Sequence, residues 1–239
     1  MPRSRPDVAD IADRHRHTAQ IVLTAIEKVR GKPTREAPWG LSGGNALIAH
    51  RLSARKTMDV DVAISQMTGD WPDIERAIEE EFTGNGYTVR AVDKLAGVVE
   101  LMAGEDEVGL SEWIVSAPGD DEEIQVQVSN FDLFGAPVDI PGVGPVVALG
   151  DVAGWKTIAF SNRRMPRDAY DLAELRTRFT VDELLRLAWE RDPGLDSADI
   201  ADAGRYLDNV KDAVLSEVVA GTRRTPAWVR KQLADWPRR

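Results

Sequence analysis

The stretch Arg55-Lys56-Thr57-Met58-Asp59-Val60-Asp61-Val62 holds residue types that can do phosphate chemistry. On a strand, residues i and i+2 face the same side, so Asp59 and Asp61 project together while Met58, Val60, Val62 and Ile64 face a core. Two adjacent carboxylates repel each other. A divalent cation removes that penalty, and hard oxygen donors suit Mg²⁺ or Mn²⁺. Asp59 and Asp61 are therefore the candidate metal ligands. Taken alone, Asp-x-Asp is also the pattern of an ordinary acidic solvent face. The context upstream, Leu41-Ser42-Gly43-Gly44-Asn45-Ala46-Leu47, bears on that choice. Glycines just before a helix let backbone N–H groups close on a phosphate at the positive end of the helix dipole. By itself Gly43-Gly44 is equally a plain turn. Together the two stretches describe a phosphate cradle beside a carboxylate pair, an arrangement that recurs in phosphoryl and nucleotidyl transfer.

The elements that must position these groups are legible as patterns. Residues 7–30 carry Val8, Ile11, Ala19, Val22, Leu23, Ile26 and Val29 at helical spacing, and Gly31 with Pro33 ends the run. A short helix is expected through Ala46–Leu52, a strand over Met58–Ile64 and a helix from Trp71 to Phe82. Four short β-type runs follow: Tyr87–Val92, Gly97–Met102, Leu110–Val115 and Ile124–Val128. They suggest a mostly antiparallel or mixed sheet. From Gly150 onward the pattern is helical. Asp151 is the expected N-cap of a helix over Val152–Ser161, and Thr180 with Glu183 makes a capping box. Asp196 or Ser197 starts another helix, and Thr225-Pro226 starts the last. The fold class expected is α+β, divided into residues 1–148 (an N-terminal helix plus a mixed-sheet core) and residues 149–239 (a helical part).

Composition narrows the function classes. A chain of 239 residues can bury a sizeable core. With no cysteine, it has no disulfide scaffold, thiol nucleophile or thiolate metal site. No run of about 18 apolar residues is present, so no membrane partner is expected. The polar N-terminus lacks an apolar signal core, which makes cytoplasmic the expected location. The net charge of −10 is unevenly spread: residues 1–60 carry +5, residues 61–150 carry −16 and residues 151–239 carry +1. The acidic runs Glu79–Glu81, Glu105–Glu107 and Asp120–Glu123 read as solvated turns and helix ends. Arg163, Arg164, Arg167, Arg223, Arg224, Arg230, Lys231, Arg238 and Arg239 are left available for phosphate. His15 and His17 are expected to face solvent, His50 to pack, and Trp39 to be able to stack on a nucleobase.

Gly43-Gly44-Asn45-Ala46-Leu47 followed by Arg55-Lys56-Thr57-Met58-Asp59-Val60-Asp61 resembles the AbiEii/AbiGii toxin family, which includes the mycobacterial MenT toxins. That family lies within the nucleotidyltransferases of DNA polymerase β-like fold. A second stretch shares the likeness: Lys156 on a helix, then Arg167-Asp168-Ala169-Tyr170-Asp171-Leu172. The resemblance implies that Asp59 and Asp61 hold the catalytic metals, and that Ser42, Gly43, Gly44 and Asn45 meet the NTP triphosphate. It implies phosphate contacts from Lys156 and Arg167, and a catalytic or ordering role for Asp168. Asp171 would orient Lys156 or an arginine. Two departures stand out. Asn45 replaces a small hydroxyl residue, and Gln127 stands where a third carboxylate usually activates the attacking hydroxyl, although an amide cannot act as a base. Asp132, Asp139 and Asp168 are the candidate substitutes; the alternatives are activation of the hydroxyl by the metal alone, or a slow or inactive enzyme, and a working enzyme with a contribution from Asp168 is the reading favoured.

The function implied is a Mg²⁺- or Mn²⁺-dependent toxin that moves a nucleoside monophosphate from NTP to an acceptor hydroxyl. The acceptor implied is the tRNA 3′ end, with a cognate antitoxin as partner. Two rivals are a small-molecule (antibiotic-type) nucleotidyltransferase and, because of Gln127, a catalytically silent nucleotide- or partner-binding module.

Overall fold

The computed structural model describes residues 11–65, 69–92 and 109–239. The run Gly97–Met102, the acidic run Glu105–Glu107 and the expected first turn of the N-terminal helix lie outside the described residues. The chain divides into two compact units. One comprises Ile11–Ala49 and Thr57–Ala148; the other comprises His50–Lys56 and Leu149–Arg239. The short segment 50–56 thus groups with the C-terminal helices.

The first unit is built on seven strands among the described residues: β1 (Trp39–Leu41), β2 (Asp59–Ile64), β3 (Thr88–Ala91), β4 (Leu110–Ser116), β5 (Glu123–Asn130), β6 (Val138–Ile140) and β7 (Gly144–Val146). Their order is β3-β4-β5-β2-β1-β7-β6. The sheet is mixed: β2–β5 and β1–β7 are parallel, and the other neighbours antiparallel. Helices α1 (Asp13–Arg30) and α3 (Trp71–Gly84) pack on each other and on the sheet. Val60, Val62, Trp113, Val115, Ile124, Val126 and Val128 form the buried sheet face, meeting Val22, Ile26, Ile74, Ile78 and Phe82 from the helices. Trp71 Nε1 donates to Ser111 Oγ at 2.8 Å and Trp113 Nε1 to Glu79 at 3.1 Å, so the two indoles find polar partners as they are buried. The opposite face is polar, because alternation sends Asp59, Asp61, Gln125, Gln127 and Glu112 to that side.

Among its described residues the second unit holds six helices: α4 (Leu149–Arg163), α5 (Pro166–Leu175), α6 (Val181–Arg191), α7 (Ser197–Asn209), α8 (Asp212–Val219) and α9 (Pro226–Gln232). Thr180 and Glu183 form the expected capping box. Asp196 accepts from Ala198 N–H, and Thr225 caps α9 with Pro226 in its first turn. Phe160 packs edge-on against Trp236 and Tyr206 in the core.

Several expectations need correction. Met58 is 71% exposed and lies outside the core, because β2 begins one residue later, at Asp59. Trp39 is 1% exposed inside β1, so its ring is not available to a nucleobase. His15 is buried, since it lies on the core side of α1 with Thr18, Ala19 and Val22. Asp151 is no N-cap: α4 begins at Leu149, and Asp151 sits inside its first turn, buried against Arg191. Gly154 makes room for that arginine, since a Cβ there would come within 2.6 Å of Arg191 Cδ.

Candidate active site

In the first unit the glycine turn and the two aspartates are brought together by strand register. β1 runs antiparallel to β2 with Leu41 opposite Val62 and Gly40 opposite Ala63. The next residue, Ser42, therefore arrives beside Asp61, and its N–H donates to the Asp61 carbonyl at 2.8 Å. The Ser42 carbonyl then accepts from Ala46 N–H at 3.1 Å, which opens α2 (Gly43–Ala49). The N–H groups of Gly43, Gly44 and Asn45 precede the helix's own hydrogen-bond ladder. Gly43 adopts φ +61°. An ideal Cβ on it would come within 2.6 Å of Asp61 Cγ, and closer still to Oδ2. The backbone of the turn thus lies directly against the Asp61 carboxyl group, and only glycine suits both the dihedral and the contact.

Asn45 has an internal task. Its Nδ2 donates to the Asp59 carbonyl at 2.8 Å, and its Oδ1 accepts from Thr57 Oγ1 at 2.8 Å. Thr57 Oγ1 in turn lies 3.4 Å from His15 Nδ1. Three buried side chains, from α1, from α2 and from the segment just before β2, therefore fix where Asp59 begins its strand. Burial, then the Arg14 charge, depress the His15 pKa, with Asp59 opposing them, so the imidazole stays neutral in this network.

The donor set suits one class of cation. Asp59 and Asp61 are half-buried on one face of one strand. Among the described residues no three His, Asp or Glu side chains gather into a ready cage. Mg²⁺ is ordinarily held by one or two carboxylates together with substrate phosphates, and two aspartates beside a backbone phosphate cradle fit that pattern.

The second unit assembles a different cluster. Asp171, fully buried on α5, accepts two bonds from Arg55, Nε and Nη2 each at 2.7 Å, and pairs with Lys156 Nζ of α4 at 2.8 Å. Burial works to raise the Asp171 pKa, but the charges and hydrogen bonds of Lys156 and Arg55 more than offset it and bring it down to about 2. Asp171 is thereby a fixed anion that orients both cations. Arg55, 116 residues away in sequence, was not among the expected site residues. Nothing local signals its partner; only its place in segment 50–56 brings it to α5.

Asp168 also has a committed partner. Both of its oxygens accept from Arg163, at 2.7 and 2.8 Å, and its side chain is fully buried. Its carboxylate therefore orients Arg163 in place of standing open as a base. Arg167 is exposed in the first turn of α5. The other C-terminal arginines are less available to phosphate than expected. Arg164 pairs with Asp199, Arg224 with Glu174, Arg230 with Asp212 and Arg238 with Asp208. Burial, then the Glu174 charge, push the Tyr170 pKa up, so the phenol remains a neutral donor to Glu174.

Residues 29–202 match the family described as nucleotidyl transferase AbiEii toxin of the type IV toxin–antitoxin system. Among solved structures, MenT4, a nucleotidyltransferase toxin from Mycobacterium tuberculosis H37Rv, is similar at 17% identity and a TM-score of 0.52, over 95% of this chain and 84% of that one. JHP933 from Helicobacter pylori is similar at 15% identity and a TM-score of 0.50, over 93% of this chain and 90% of that one. At these identities the likeness speaks for the fold. No curated protein matches the chain by sequence. The family match spans most of the chain, including the glycine turn, the aspartate pair and the Lys156–Asp171 cluster: the chain belongs to the AbiEii family of nucleotidyltransferase toxins of type IV toxin–antitoxin systems.

Proposed function

We propose that this nucleotidyltransferase acts with Mg²⁺ or Mn²⁺, transfers a nucleoside monophosphate from NTP to the 3′ end of tRNA, and so blocks translation in the cytoplasm until a cognate antitoxin restrains it. The observation that supports the reading is the packing of the Gly43 backbone on the Asp61 carboxyl group, which sets the proposed phosphate cradle directly against the proposed cation ligand. In this reading Asp59 and Asp61 hold the cation, which when bound neutralises charge at the phosphates. Main-chain N–H groups of Gly43, Gly44 and Asn45, with Ser42 at the turn, bind the triphosphate. Lys156 neutralises phosphate charge and Asp171 keeps it in place. Arg167 supplies a further phosphate contact. Asp168 acts on Arg163 and positions it.

The test is to incubate the protein with each α-labelled NTP, Mg²⁺ and total tRNA, with candidate small-molecule acceptors in parallel. Label should enter tRNA with wild type and not with Asp59→Ala or Lys156→Ala. Label in a small molecule and none in tRNA would replace the acceptor. Label transfer that survives Asp59→Ala would refute the site.

A further inference from the structure

Gln127 is an amide and cannot take the proton of the attacking hydroxyl, so a carboxylate base has to be sought elsewhere in the chain. Register disposes of two candidates. Asp139 lies on β6, three strands from β2 across β1 and β7. Asp132 follows the end of β5, beyond the Ile64–Asn130 pair and at the opposite end of β2 from Asp59. A third candidate, Asp168, is bound through both oxygens to Arg163.

The polar sheet face offers a different carboxylate. Asp61 on β2 is paired with Gln127 on β5, and Gln127 with Glu112 on β4. Residues aligned across a ladder share a face, so Asp61, Gln127 and Glu112 form one row. At one inter-strand spacing per step, the Glu112 Cα lies roughly 10 Å from that of Asp61. Gln127 does not block the row, because its Nε2 turns along its own strand to Ser129 Oγ, at 3.0 Å. Glu112 is linked to that row's neighbour: its Oε1 accepts from Gln125 Nε2 at 2.7 Å, and Gln125 is the residue paired with Asp59. That bond ties the carboxylate to a side chain of β5, the strand between Glu112 and the aspartate pair.

Building on the proposed function, we infer that Glu112 is the general base of the transfer and stands in for the missing third acid. Its carboxylate takes the proton of the acceptor hydroxyl. The hydroxyl oxygen forms a bond to the α-phosphorus, the bond from the α-phosphorus to the oxygen bridging it to the β-phosphate breaks, and the electron pair leaves with pyrophosphate. The protonated Glu112 then returns its proton to solvent. Gln125 positions the base, and the longer glutamate side chain spans the strand that separates it from Asp61.

The experiment measures transfer from α-labelled NTP to total cellular RNA in Mg²⁺, with thermal melts as a check on folding. Glu112→Gln and Glu112→Ala should each lose about 10²- to 10⁴-fold in turnover, the usual worth of a general base, with little change in the KM for NTP. Formate should restore part of the rate to Glu112→Ala, and Gln127→Asp in the same background should restore more, since it returns a carboxylate to the row one strand closer. Glu123→Gln, at the far end of that face beside Arg90, should behave as wild type. Wild-type turnover in Glu112→Gln, or a loss that neither formate nor Gln127→Asp reverses, overturns the base. Asp61→Asn separates the two claims: if it retains transfer, the aspartate site itself is refuted, whatever Glu112 does. An inactive wild type refutes both.

Discussion

Gly43→Ala is the smallest change that reaches the centre of the site. An ideal Cβ at this position comes within 2.6 Å of Asp61 Cγ. Ordinary carbon–carbon contact is near 3.6 Å, so the carboxyl group must retreat by roughly 1 Å or the turn must lift off it by as much. Misplacement on that scale costs on the order of a hundredfold in turnover when the displaced group positions reactants. The substitution also strains the backbone, since φ is +61°. A left-handed conformation costs an alanine about 1 to 2 kcal/mol. The strain must be separated from the displacement, and Gly31 allows it. Its φ is +72° and nothing lies within 4 Å of its ideal Cβ. Gly31→Ala should therefore lose about 1 to 3 kcal/mol of stability and no activity. The assay is turnover in NTP-dependent labelling, beside urea denaturation of both variants. Comparable stability losses with activity lost only in Gly43→Ala support the packing argument. Wild-type turnover in Gly43→Ala, or equal activity losses in the two variants, would refute it.

Further outcomes follow from the ion pairs and the exposed strand start. Asp171→Asn removes the anion that holds Arg55 and Lys156, and should cost about 3 to 5 kcal/mol by urea denaturation. The Asp171 pKa of about 2 lies below its unfolded value, so its contribution is full above that unfolded value and is lost as pH falls toward 2. The stability gap between wild type and Asp171→Asn should therefore narrow below about pH 4, and a constant gap would contradict the assignment. Asp151→Ala takes away the buried carboxylate that faces Arg191 and should lower Tm by about 6 to 20 °C, while Asp151→Leu with Arg191→Met recovers most of the loss. Met58→Ala, at a site 71% exposed, should change stability by less than about 0.5 kcal/mol despite its place in the motif.

Local signals in the sequence translate well into structure where the physics is local. The Thr180–Glu183 box, the Thr225-Pro226 start and the Gly31 stop each depend on neighbours a few residues apart, and each is found where its pattern predicts. The alternation over residues 59–64 likewise puts Asp59 and Asp61 on one face. Groups whose position depends on distant chain are harder to read. His15 looks solvent-facing among charged neighbours, yet α1 turns it toward Thr57 and Asn45. Asp168 and Asp171 are alike in sequence, yet one meets Arg163 five residues away and the other Arg55 from residues 50–56. Strands β1, β6 and β7 have three residues each, too short to show a period. The place of Glu112 in the row of Asp61 exists only once β4, β5 and β2 are in register.

The central claim is nucleotidyl transfer governed by Asp59 and Asp61, and one measurement tests it most directly. The protein is given NTP labelled at either the α- or the γ-phosphate, with Mg²⁺ and total tRNA. The account predicts that α-label enters tRNA, that γ-label leaves as pyrophosphate, and that both are lost with a chelator or in Asp59→Ala and Asp61→Ala. Entry of γ-label into the acceptor, or α-label transfer that persists in Asp59→Ala, would contradict it.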